Sequence, residues 1–185
     1  MSKYPETIRT DMPTVDTVRS LARTVDLPDE AATLRLGANL ARFLRKSGAP
    51  RLVLLSGPLG AGKTCLVRGL AAALPGGEEA EVASPSFSLC NLYPTCPPVA
   101  HVDLYRTGIA LPESAPEAGS RLILSDEVLE LVDSGETLVI VEWAEYFPAA
   151  CLPETRLEVK WLNAPVGRHV RLTLHGAAAE IEMML

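Results

Sequence analysis

The stretch RLVLLSGPLGAGKTCLVRGLAAAL, residues 51–74, decides the fold. Arg51 to Ser56 is a short apolar run of the kind that forms a strand buried on both faces of a parallel sheet. From Gly62 to about Leu74 the pattern is helical, and Pro75-Gly76-Gly77 stops it. Between them, Gly57-Pro-Leu-Gly-Ala-Gly62-Lys63-Thr64 satisfies GxxxxGK[ST] at every fixed position. The glycines allow successive backbone N–H groups to turn toward phosphate oxygens, and the helix N-terminus adds partial positive charge. Lys63 is placed to reach the β- and γ-phosphates, and the Thr64 hydroxyl to ligate Mg²⁺. The candidate nucleotide-binding residues are therefore Gly57, Leu59, Gly60, Ala61, Gly62, Lys63, Thr64 and Cys65. Pro58 has no N–H but precedes the donors that face phosphate. Cys65 is a weaker donor than a hydroxyl, so a side-chain contact to the α-phosphate is expected to be lost. The pattern predicts a protein that binds ATP with Mg²⁺ and hydrolyses it.

Such a loop needs an acid to organise the metal and the attacking water, and two are suitably placed. Glu142 ends the apolar strand Thr137–Val141, and Asp103 sits in His101-Val-Asp-Leu-Tyr-Arg106 at the end of another strand. We take Asp103 and Glu142 as the candidate catalytic residues, and Thr64 with Glu142 as the candidate Mg²⁺ ligands. Each acid has a plain alternative as a solvated strand-end carboxylate. His101 reads more readily as structural than as catalytic. Arg106 is open between neutralising phosphoryl charge and a surface role.

Outward from the loop, residues 1–26 lack an apolar period and read as a loose or weakly helical extension. Pro28 and Asp29 open a helix to about Lys46, with Leu36, Leu40, Phe43 and Leu44 on its apolar side. Arg35, Arg42 and Lys46 form a basic stripe, a solvated face or a docking surface. Phe87–Tyr93 and Val99–Tyr105 read as strands about the turn Pro94–Pro98, and Thr107–Ser120 as a mobile loop. Ser125 is placed to cap a short helix. Leu157, Val159, Trp161 and then Val170, Leu172, Leu174 alternate with polar residues, predicting a late antiparallel pair. The fold class is α/β: a mainly parallel, P-loop NTPase-like sheet flanked by helices, with antiparallel edge strands, in one domain over residues 27–185. A hydrophobic content of 48% supports a full core. The net charge of −6 argues against unaided binding to a phosphate backbone. Cys65, Cys90, Cys96 and Cys151 lack zinc-site spacing and read as free thiols. No run approaches a membrane span, so the expected location is the cytoplasm.

In this order, the P-loop, Ser84-Pro-Ser-Phe-Ser-Leu89, His101-Val-Asp-Leu-Tyr-Arg106 and Val141-Glu-Trp-Ala-Glu145 resemble the bacterial TsaE (YjeE) family of P-loop ATPases. The resemblance runs from Leu27 to roughly Arg171. It implies support of threonylcarbamoyladenosine modification of tRNA, with a TsaB–TsaD complex as partner and tRNA contacted only within that assembly. It also implies that Ser86 lies in a switch-like loop near the γ-phosphate. Pro58 and Cys65 depart from the family pattern, where Asp and Thr are usual, and the loop after Arg106 is longer. Two other readings remain: a small-molecule P-loop kinase, which needs a lid richer in arginine than residues 106–124, and a nucleotide-dependent binding module without useful turnover.

Overall fold

A computed structural model describes residues 20–109, 125–162 and 168–176. In chain order its elements are β1 (Ser20–Leu27), α1 (Glu30–Leu44), β2 (Leu52–Ser56), α2 (Lys63–Ala72), β3 (Cys90–Tyr93), β4 (Val99–Asp103), α3 (Tyr105–Ile109), α4 (Asp126–Ser134), β5 (Leu138–Glu142), β6 (Arg156–Leu162) and β7 (Arg168–His175). The strands form one seven-stranded sheet in the order β1-β7-β6-β2-β5-β4-β3. The centre, β6-β2-β5-β4, is parallel. β3 pairs antiparallel with β4, β7 with β6, and β1 with β7. The predicted late hairpin is thus present, and its first strand also joins the parallel centre.

Strand period two sorts the core into two layers. Val53, Leu55, Val99, Leu138, Ile140, Leu157 and Val159 are buried with the apolar sides of α1 and α2. Leu52, Leu54, Ala100, Val102, Val139 and Val141 are buried on the other face with Val128 of α4 and Phe147. Burial on both faces explains the unbroken apolar runs of β2 and β5, each large side chain contributing about 1.5–3 kcal/mol. Asp29 caps α1, its Oδ1 accepting from Ala32 N at 2.6 Å. α1 and α2 cross in close contact: a Cβ on Gly69 would lie 2.3 Å from Leu34 O, and one on Gly37 2.4 Å from Leu66 O.

Several expectations need correction. Residues 20–26 are not a loose extension but most of β1, so the domain boundary at residue 27 falls too late. Most of that strand is exposed, and Leu27 is its buried residue. It is held by backbone pairing to β7, for which no apolar alternation is needed at a sheet edge. Residues 1–19 lie outside the described residues. The strand expected from Phe87 starts only at Cys90, because Leu89 adopts a left-handed φ of 67° that interrupts extended backbone. Ser125 stands at the cap of α4 without a side-chain bond; its backbone carbonyl accepts from Val128 N instead. Of the loop expected over residues 107–120, the first part belongs to α3 and the rest lies outside the described residues. No helix among the described residues is long and apolar enough to cross a membrane.

Candidate nucleotide-binding and catalytic site

The apolar rows under α1 and α2 end in polar groups. Along β4 the face reads Val99, His101, Asp103, and along β5 it reads Leu138, Ile140, Glu142. The register pairs Asp103 with Glu142 at the carboxyl ends of adjacent parallel strands, where open α/β sheets place their sites. β2 delivers the glycine loop to the same end. Gly60 and Gly62 take φ values of 75° and 107°, conformations that suit glycine. Gly57 is required by space: a Cβ there would lie 2.7 Å from Trp161 Cβ. A cleft of about 370 Å³ opens above the loop. Leu59, Gly60, Ala61, Gly62, Lys63, Thr64, Cys65, Asp103 and Glu142 all line it, together with Ser84, Ser86, Tyr105 and Trp143. Gly57 sits beneath, its carbonyl bonded to Lys63.

Lys63 is buried, and its Nζ donates to Gly57 O at 2.7 Å and to Pro58 O at 3.0 Å. The same ammonium lies 4.0 Å from the centroid of the Trp143 ring. Burial lowers its pKa from the ordinary lysine value, while Glu142, Glu145 and Asp103 push it back up. Trp143 holds a left-handed φ of 59°, unusual for a bulky residue, which turns its ring over Lys63 and onto Tyr105, 4.8 Å between centroids. In the sequence, the one signal of this role is its place directly after Glu142.

The two acids differ in how they are committed. Glu142 Oε1 accepts from the Thr64 hydroxyl at 2.7 Å and from His101 Nε2 at 2.9 Å. Glu142 lines the cleft, and no hydrogen bond to its Oε2 is seen among the described residues. Asp103 uses both oxygens: Oδ2 accepts from Ser84 Oγ at 2.5 Å and Oδ1 from Tyr105 N at 2.9 Å. It therefore ties the Ser84 segment to the start of α3. Thr64 and Glu142, the candidate metal pair, are in contact, and the set is an oxygen-rich one that suits a hard cation such as Mg²⁺. Cys65 Sγ faces Glu30 O at 3.8 Å. Burial first, then Glu30, raises its pKa, so it stays a neutral thiol. Arg106 stacks on exposed Phe87, 4.0 Å from the ring centroid, and does not line the cleft.

Against known proteins, residues 27–170 match the family described as threonylcarbamoyl adenosine biosynthesis protein TsaE. The chain belongs to the TsaE family. A TsaE named tRNA threonylcarbamoyladenosine biosynthesis protein, from Streptomyces coelicolor, is 36% identical over 162 residues, 80% of this chain and 97% of its own. The TsaE of that name from Mycobacterium tuberculosis is 37% identical over 141 residues, 74% of this chain and 77% of its own. The crystal structure of YdiB from Bacillus superimposes with a TM-score of 0.56 over 92% of this chain and 94% of its own. At 20% identity that likeness speaks for the TsaE chain's fold alone.

Proposed function

We propose that this TsaE chain binds ATP with Mg²⁺, hydrolyses it, and thereby supports threonylcarbamoyladenosine modification of tRNA with a TsaB–TsaD complex in the cytoplasm. The observation that carries the reading is the contact between Thr64 Oγ1 and Glu142 Oε1 beside Lys63, at the mouth of a glycine loop. The loop backbone and Lys63 hold the phosphates, Lys63 exchanging its bonds to Gly57 O and Pro58 O for phosphate oxygens. Thr64 and Glu142 would hold the Mg²⁺ ion, which would supply charge neutralisation to the phosphates. Glu142 Oε2 orients a water toward the γ-phosphorus and accepts its proton as the water oxygen bonds phosphorus; the bond from the γ-phosphorus to the β,γ-bridging oxygen breaks, and ADP and phosphate leave. Trp143 and Tyr105 keep bulk water from Lys63. The stretch 106–124 carries two arginines, Arg106 and Arg121, fewer than a lid for phosphoryl transfer to a metabolite needs.

The tRNA role comes from the family and its named relatives. A chain of net charge −6 meets the RNA through its partners rather than directly. The test measures ATP turnover by the full chain alone and with TsaB–TsaD, and association with that pair with and without ATP. Slow turnover alone, and association that depends on ATP, are the expected results. Absence of ATP binding, or phosphate appearing on an added metabolite, overturns the reading.

A further inference from the structure

His101 is wholly buried and is not among the residues that line the cleft. It nevertheless interrupts an apolar row, between Val99 and the site, facing Ile140 across the β4–β5 register. An aliphatic side chain would pack in that row without burying polar nitrogens, which carries a desolvation cost. The imidazole therefore calls for a role that only its N–H can fill.

We propose that His101 is a positioning residue for Glu142, its Nε2–H fixing the carboxylate with one oxygen on Thr64 and the other open to the cleft. A carboxylate only accepts, so in this pair, 2.9 Å apart, Nε2 carries the proton. On the other side of the ring the Tyr93 hydroxyl lies 3.4 Å from Nδ1 and 3.4 Å from Ala83 O, and its one proton serves one acceptor at a time. Both donors to Glu142 converge on Oε1, one from each side of the site. Thr64 alone leaves the carboxylate free to pivot about a single bond. Lys63, which lines the same cleft and donates to Gly57 O and Pro58 O, is a competing partner for the carboxylate. A carboxylate that swung to Lys63 would take the ammonium from the phosphates and leave Thr64 without its partner. His101 opposes both changes.

This inference rests on the ATPase reading, and the experiment separates the two. The full chain is compared with His101→Leu, which keeps bulk without a donor, and His101→Gln, whose amide N–H restores one near the Nε2 position. Three quantities are read: nucleotide affinity in EDTA, the Mg²⁺ concentration that half-maximally strengthens nucleotide binding, and kcat at saturating Mg²⁺-ATP. For His101→Leu the expected result is metal-free affinity within about twofold of wild type. The Mg²⁺ midpoint rises severalfold and kcat falls at least about tenfold, the effect of misplacing a positioned group. His101→Gln recovers most of both. The inference is overturned if His101→Leu leaves the Mg²⁺ midpoint and kcat unchanged. It is also overturned if His101→Leu loses metal-free nucleotide binding together with thermal stability, or if a folded His101→Gln is no better than His101→Leu. Were the wild type itself without turnover, the ATPase reading would fall, and the Mg²⁺ midpoint would still decide the role of His101.

Discussion

Glu142→Gln is the substitution in which structure and chemistry separate most cleanly. The amide oxygen can take the place of Oε1, still accepting from Thr64 and His101, while the NH₂ replaces Oε2 at the cleft. Two charge-assisted bonds become neutral, a loss of about 1 kcal/mol apiece. Removing a buried charge in register with Asp103 offsets part of that loss. The melting temperature is therefore expected to fall by only a few degrees, at about 2–4 °C per kcal/mol for a domain of this size. Catalysis fares worse, because the group facing the water now donates and cannot accept a proton. Loss of a positioned base costs about 10²–10⁴-fold, or roughly 2.7–5.5 kcal/mol of transition-state stabilisation. Affinity in EDTA for a non-hydrolysable ATP analogue stays within a few fold, since the loop and Lys63 are untouched. Single-turnover hydrolysis at saturating ATP, with calorimetric binding and a melting curve, checks all three. A variant that turns over at the wild-type rate, or that folds normally but no longer binds the analogue, refutes the reasoning.

Further outcomes follow from the same geometry. Burial lowers the pKa of Lys63 in the free protein, and a bound polyphosphate raises it again. Nucleotide affinity is then full below the free-state pKa and falls as pH rises through it, with proton uptake on binding in the alkaline window. Calorimetry in two buffers of different ionisation enthalpy detects that uptake, and Lys63→Met abolishes both it and tight binding; equal uptake by the variant contradicts the assignment. Asp103→Asn loosens the Ser84 segment and lowers turnover by about 10²-fold while nucleotide binding persists, as a small misplacement of a reacting site does. Gly69→Ala forces a methyl to within 2.3 Å of a backbone oxygen and destabilises the domain by about 1–3 kcal/mol. An unchanged melting temperature for that variant would show that α1 and α2 do not cross so closely.

What was legible in the sequence is what is local or periodic. The glycine loop declares itself because phosphate cradling demands particular residues at fixed spacing, and the strand and helix around it are contiguous. Asp103 and Glu142 were found because each ends an apolar run. β1 was missed because a sheet-edge strand needs backbone pairing more than apolar alternation, and its partner lies at the far end of the chain. The bond from His101 to Glu142 spans 41 positions and exists only through the β4–β5 register. Ser84 on Asp103, and Trp143 over Lys63, likewise depend on tertiary placement; the first follows a loop and the second a positive φ that no propensity favours.

The proposal that this cleft hydrolyses ATP in the service of tRNA modification requires that hydrolysis drive repeated rounds of threonylcarbamoylation. Its most direct test is reconstituted threonylcarbamoylation with TsaB–TsaD, counting modified tRNA per complex with wild-type chain, with Lys63→Ala, and with no addition. Repeated rounds of modification are predicted with the wild type, and none beyond the first with the other two. Equal multiple-turnover yield in all three would contradict the claim, even if the purified chain proved to be an ATPase.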